Sequence, residues 1–273
     1  MADHNPMLIA VAPNGARRTK ADHPALPLTP DELASTARLC LDAGAAMIHL
    51  HVRNEQQKHS IAKEHYWPAI KAIRAVVGEQ MLIQVTSEAA GIYNRFQQMA
   101  AMTELMPAAV SIALRELVPD ESAVADAQGF FKRLHDAGTL IQYIIYDTDD
   151  LARYHTLCRE GVIPGNRHML LFVLGRYGSK LAEPADLDVY LNHYKGEASW
   201  MCCAFGRNEL AIMLRAAQLG GHARVGFENN LQNVDGSLVS GNNTLVHALA
   251  LNAVSAGRTL ASAAEGVALY RRV

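Results

Sequence analysis

The chain has 273 residues, is 50% apolar and 19% charged, and has a formal net charge of −2. That apolar content excludes a disordered chain, and 25 Lys and Arg against 27 Asp and Glu leave no basic surplus for a nucleic-acid surface. No stretch approaches the roughly twenty apolar residues of a membrane-spanning helix.

The first apolar run, 7–13, reads as a strand. A helix is predicted over 29–43: Thr29-Pro30-Asp31-Glu32 supplies a cap, a first-turn Pro and acids at the positive end of the dipole, and Gly44 stops it. A strand follows at 45–52, a helix at 66–77 before Gly78, and strands at 81–87 and 108–114. A helix is predicted at 121–137, ending at Gly138, then strands at 139–146, 168–175 and 199–205. The remaining segments are a helix at 208–219, a strand at 223–229, a helix at 244–256 and an amphipathic tail at 260–273. Each strand is apolar and bounded by Gly, Pro, Asp or Asn, as buried parallel strands are.

Eight strands, most followed by a helix, predict a (β/α)8 TIM barrel. The prediction is one domain over 1–273 with an extra C-terminal helix. A doubly wound open sheet would show a Gly-rich turn after the first strand, and Asn14-Gly15-Ala16-Arg17 is not GxGxxG. Four cysteines without CxxC spacing, and no signal-peptide pattern, predict free thiols and a cytoplasmic protein.

A barrel places its chemistry at the C-terminal ends of the strands. The second strand ends in His49-Leu50-His51, and alternation points both imidazoles to one side. Twelve histidines make roughly half of one HxH pair expected by chance, so placement carries the inference more than the motif. A third ligand is predicted in Glu228, at the end of the last strand. Two His and one carboxylate with open positions suit catalytic zinc, and also Fe(II), Co(II) or Mn(II). Other residues predicted at the mouth are Asn14, Arg17 and Arg18, then Thr86, Ser87 and Glu88, then Ser111, Arg115 and Glu116, then Arg53 and the segment 175–178.

The chain resembles the β-keto acid cleavage enzymes, whose founding activity is 3-keto-5-aminohexanoate cleavage. The resemblance rests on Ala21-Asp-His-Pro-Ala-Leu-Pro-Leu-Thr-Pro-Asp-Glu32, Ala43-Gly-Ala-Ala-Met-Ile-His-Leu-His-Val-Arg53, Phe172-Val-Leu-Gly175, Gly221-His-Ala-Arg-Val-Gly-Phe-Glu-Asn-Asn230 and residues 242–246. It implies a zinc-dependent barrel, usually a homotetramer, that converts a β-keto acid and acetyl-CoA into acetoacetate and a new CoA thioester. It implies His49, His51 and Glu228 as metal ligands, Arg224 as the proton-accepting Arg, and Thr86 and Ser111 as hydroxyls for substrate or oxyanion. Asn14, Arg17 and Asn229 are predicted to meet substrate.

Three departures from the family pattern matter. Asn229 stands where the family has an Asp that polarises the Arg, and Ile144 stands where it commonly has an inward Glu. Glu88 and Glu116 are therefore the candidate general bases. Arg17 occupies the place of a Glu that meets a substrate amine, which predicts an acidic or neutral β-keto acid. Arg17 or Arg18 contacting CoA phosphates is the alternative. Two other functions fit parts of the pattern. One is a non-catalytic or altered metal-binding homologue. The other is a metal-dependent barrel hydrolase, which would need further histidines on the fifth and sixth strands.

Overall fold

The structure, a computed structural model, describes residues 6–270 apart from 166–167, 177–180 and 195. Its centre is a closed barrel of eight parallel strands: β1 (Ile9–Val11), β2 (Met47–Leu50), β5 (Leu82–Thr86), β6 (Ala109–Ala113), β7 (Leu140–Ile145), β8 (Met169–Leu174), β9 (Ser199–Ala204) and β10 (His222–Val225). β1 pairs with β2 on one side and with β10 on the other, which closes the ring. A short antiparallel hairpin, β3 (Val52–Arg53) with β4 (His59–Ser60), hangs on the end of β2. The eight predicted strands are these eight barrel strands, shorter at their ends than the apolar runs suggest.

The predicted helices form as α1 (Pro30–Asp42), α2 (Lys63–Val77), α5 (Val124–Asp136), α8 (Glu209–Gln218) and α9 (Asn242–Ser255). Thr29 Oγ1 accepts from the Glu32 amide and the Glu32 side chain returns the bond, so the α1 capping box exists. Four helices were absent from the sequence-based prediction: α3 (Arg95–Leu105), α4 (Leu114–Leu117), α6 (Thr148–Arg159) and α7 (Asp186–His193). With them, helices surround the whole ring.

The tail forms a helix only over α10 (Ala263–Leu269); residues 271–273 lie outside those described. It packs under the barrel. Just before β1, Met7 N donates to Thr259 O (2.8 Å) and Met7 O accepts from Ala261 N (2.9 Å). Tyr270 is buried, and its hydroxyl accepts from Gln84 Nε2 inside the barrel (3.1 Å). The N-terminal end of the barrel is thus plugged, and the open end is the one that carries the histidines. The four cysteines are unbridged. Among the described residues no helix is long and apolar enough to cross a membrane.

Candidate metal centre and cavity

His49 lies on β2 and His51 directly after it. Both are buried, and their Nε2 atoms stand 3.0 Å apart. Glu228 Oε2 is 3.5 Å from His49 Nε2 and 3.3 Å from His51 Nε2. The three predicted ligands therefore converge; their donor atoms lie within 4.8 Å of one another.

The neighbours fix how these groups face. Gln84, beside His49 across the β2–β5 pairing, uses its amide nitrogen on Gln142 Oε1 (3.2 Å) and Tyr270 Oη (3.1 Å). Its oxygen is left to accept from His49 Nδ1–H at 2.8 Å. His49 Nε2 is then a lone pair, aimed at His51 and Glu228. Burial, with the Arg224 charge, pushes the His49 pKa down to about 3, so the ring is neutral at pH 7. Neutral imidazole with its far nitrogen on an amide oxygen is the arrangement of a metal ligand. Two imidazole nitrogens and one carboxylate oxygen around one point fit a zinc-type ion.

Arg224, on β10, donates from Nη2 to Glu228 Oε1 (2.9 Å) and lies 3.4 Å from Asn229 Oδ1 and from Cys203 Sγ. Burial opposes its charge, but Cys203 and Glu228 outweigh that and hold its pKa above the ordinary value. Burial pushes the Cys203 thiol up to about 11, so near pH 7 Glu228 is the effective partner. Burial likewise opposes the Glu228 charge, and Arg224, His49 and His51 hold its pKa well below the usual range. A guanidinium held this firmly in its charged form is a poor proton acceptor. Asn229 does sit beside it, as the neutral amide that the sequence comparison anticipated.

Glu228 is not at a strand end, as the 223–229 prediction had it. β10 stops at Val225 because Gly226 adopts φ +138, where a Cβ would lie 2.4 Å from the Ala12 oxygen. The turn is then held by Glu228 N to Ala12 O (3.0 Å), Phe227 N to Asn242 Oδ1 (2.8 Å) and Gly226 N to Glu209 Oε1 (3.3 Å). Glu209, Asn242 and Gly15 escaped the sequence reading as site residues. Gly15 packs directly on the Glu228 side chain. Asn242 lay inside a recognised motif, so that signal was available.

The cavity above the cluster encloses about 570 Å3 of empty space, its open mouth included. Arg17, His49, Thr86, Glu88, Glu116, Arg224 and Glu228 line it on its polar side. Glu88 Oε2 is 3.8 Å from His51 Nε2. Burial raises the pKa of Glu88, against the pull of His51. Glu116 is also raised by burial, but its Oε2 already accepts from Ala89 N (3.1 Å) and Gln98 Nε2 (2.7 Å).

The other predicted residues are placed as follows. Thr86 Oγ1 accepts from Glu88 N (3.0 Å), and Ser111 Oγ is behind it at 3.5 Å, off the cavity wall. Asn14 Nδ2 donates to Pro27 O (3.0 Å) and His51 O (3.2 Å), so it braces His51 rather than facing the cavity. Arg53 turns from the mouth to the Gly15 and Arg18 carbonyls. Arg18 donates to Asn229 O (3.4 Å). Ser87 donates to Ser111 O (3.1 Å), and Arg115 pairs Asp147 and Asp150 at 2.5 and 2.8 Å. Of 175–178, residues 177–178 lie outside those described. β7 and β8 end in Ile145 and Leu174, and among the described residues no further histidine joins the cluster, so the hydrolase pattern is missing.

Comparison with known proteins agrees with this construction. Residues 6–271 match the family described as beta-keto acid cleavage enzyme. The chain is 32% identical over 270 residues to the 3-keto-5-aminohexanoate cleavage enzyme of Fusobacterium nucleatum subsp. nucleatum, covering 95% of each chain. It is 28% identical to the enzyme of that name from Acetoanaerobium sticklandii, over 95% of this chain and 96% of that one. It is 27% identical to the 3-oxoadipate:acetyl-CoA acetyltransferase of Cupriavidus necator, over 97% and 94%. Among solved structures, ObcA with oxaloacetate superposes at a TM-score of 0.72 with 15% identity, over 91% of this chain and 67% of that one, a likeness of fold. On the match across nearly its whole length, the chain belongs to the beta-keto acid cleavage enzyme family.

Proposed function

We propose that the protein exchanges the acyl group of a β-keto acid with acetyl-CoA, with zinc held by His49, His51 and Glu228. The observation that carries this is the convergence of two imidazole nitrogens and one carboxylate oxygen beneath an open cavity, in a chain of this family. The exchange is R–CO–CH2–COO− plus CH3–CO–S–CoA giving CH3–CO–CH2–COO− plus R–CO–S–CoA. A proton leaves C2, and C2 bonds to the acetyl carbon as the CoA thiolate departs. The thiolate then adds to the former keto carbon, the bond from that carbon to C2 breaks, and a proton returns to C2.

A bound divalent metal supplies Lewis acidity toward the keto and carboxylate oxygens. Glu88 takes and returns the C2 proton: it lines the cavity beside the cluster, whereas one Glu116 oxygen is already engaged by two N–H donors. Thr86 uses its oxygen as acceptor for Glu88 N, so its hydroxyl hydrogen is left to donate toward developing oxyanion charge. Arg224 stays charged, fixes Glu228 and presents positive potential to the substrate carboxylate. Ser111, Asn14 and Asn229 act behind these groups, as supports for Thr86, His51 and Arg224. Arg17 puts a cation on the cavity wall, which favours an acidic or neutral keto acid, or a CoA phosphate, over an amino-substituted substrate.

The test is coupled release of acetoacetate and a CoA thioester from a panel of β-keto acids, with and without chelator. Equal yields of the two products, abolished by chelator and restored by Zn2+, are expected. Tight zinc binding with no thioester from any acid would assign a metal-binding homologue without exchange activity instead.

A further inference from the structure

The cavity has a second wall that the exchange chemistry does not use. Ala113 ends β6, Ile144 and Val173 are the penultimate residues of β7 and β8, and Phe205 follows β9. The first three are buried in one apolar cluster with Phe205 packed against it. In the closed ring, β7 stands four places from β1 in either direction, and β1 is flanked by the strands that lead to His49 and Glu228. The wall therefore faces the metal cluster across the barrel. Arg17 follows β1 and lies on the cluster's side.

Among the described residues of the far side, Glu116 is the charged group that lines the cavity, and Arg176, which follows β8, pairs with Asp147 at 3.8 Å. Arg115, which follows β6, is held by Asp147 and Asp150 and stacks on the Tyr146 ring at 4.8 Å. It does not line the cavity. Glu116 does, with one oxygen engaged by Ala89 N and Gln98 Nε2. Among the described residues that line the cavity, a distal carboxylate on this side would meet apolar carbon, the Tyr146 ring and this like-charged group, and no cation.

We propose that this wall receives an uncharged alkyl chain, so that the substrates are neutral 3-oxoalkanoates rather than 3-oxodicarboxylates or amino-substituted acids. The proposal rests on the exchange reading above and narrows it. The keto acid's reacting end lies toward His49, His51 and Glu228, and its chain lies on Ala113, Ile144, Val173 and Phe205.

The experiment measures kcat/KM for 3-oxopentanoate, 3-oxohexanoate and 3-oxoheptanoate, with 3-oxohexanedioate and 5-amino-3-oxohexanoate beside them. The zinc-loaded enzyme and acetyl-CoA are used, and the acyl-CoA product is quantified. Each methylene that reaches the wall should raise kcat/KM about fourfold. The dicarboxylate and the amino acid should fall at least tenfold below 3-oxohexanoate. Ile144→Ala should move the optimum to a longer chain, and Ile144→Thr should reduce the gain per methylene, mainly through KM. A flat alkyl series, or preference for either charged acid, overturns the proposal while leaving acyl exchange intact. If neither variant folds, the wild-type series alone decides. No thioester from any acid overturns the exchange reading and this proposal together.

Discussion

Gly15→Ala tests whether the backbone after β1 sets the position of the third ligand. Gly15 has φ +63, and a Cβ there would stand 2.7 Å from Glu228 Cγ. An ordinary contact begins at 3.4 Å, so the Glu228 side chain must retreat by about 0.7 Å. Glu228 cannot do so freely, because its amide bonds Ala12 O and its Oε1 bonds Arg224. The left-handed conformation costs an alanine about 1–2 kcal/mol, which lowers Tm by roughly 2–8 °C in a chain of this size. Displacement of the carboxylate should weaken zinc binding by about 10–100-fold and reduce kcat/KM by about 100-fold. Gly257→Ala is the control: φ is +87 there, with nothing within 4 Å of the added Cβ, so it carries the strain alone. Chelator competition on both variants separates the two effects. If Gly15→Ala binds zinc as tightly as Gly257→Ala does, the packing argument is wrong.

Glu88→Gln should lower kcat by about 10²–10⁴-fold, and Glu116→Gln by much less; unchanged kcat in both removes the carboxylates as bases. Gln84→Met removes the acceptor of His49 Nδ1–H, and zinc affinity by competition should fall about 10–100-fold; wild-type affinity would mean that the tautomer is set elsewhere. Burial raises Glu209 from 4.5 to about 8, so between those values the folded protein retains a proton that the unfolded chain releases. Stability from this group is therefore present below pH 4.5 and lost as pH rises towards 8, by about 1.4 kcal/mol per unit. Denaturant midpoints from pH 5 to 9 should show that loss in the wild type and a flatter profile in Glu209→Gln; equal slopes refute it.

The barrel was legible because each strand is an apolar run closed by a turn residue, and periodicity reports such burial directly. The missed helices show where that signal fails. α3 carries its own capping box, with Asn94 accepting from Gln97 N and the Gln97 side chain bonding back to Asn94 N. α6 opens on Asp147, which accepts from Asp150 N. Both caps are readable as sequence patterns, but α3 buries only Gln98, Met99, Met102 and Leu105, a stripe too thin to stand out. The ligand set was legible from His-x-His and the Glu after the last strand, together with the family resemblance. What was not legible lies in contacts between distant segments. Glu209 and Asn242 are 17 and 15 residues from the amides they hold, and Asn14 is 37 residues from the His51 carbonyl that it braces.

The sequence suggested a cationic pocket, with Arg17, Arg53 and Arg224 around the mouth and acids lost at 144 and 229. The structure changes that balance. Arg53 points at backbone carbonyls, leaving Arg17 and Arg224 against Glu88, Glu116 and Glu228 on the cavity wall. With all three carboxylates ionised the lining has a formal charge of −1, and a divalent ion makes it +1. An anionic keto acid is thus repelled by the metal-free lining and attracted by the loaded one. Arg224 alone does not reverse that sign, because Glu228, 2.9 Å away, offsets part of its charge. Losing an inward carboxylate at 144 then has a clear consequence: one further negative charge would bring even the loaded lining to zero. The apolar residue on β7 leaves the far wall open to carbon and adds no further negative charge to the lining.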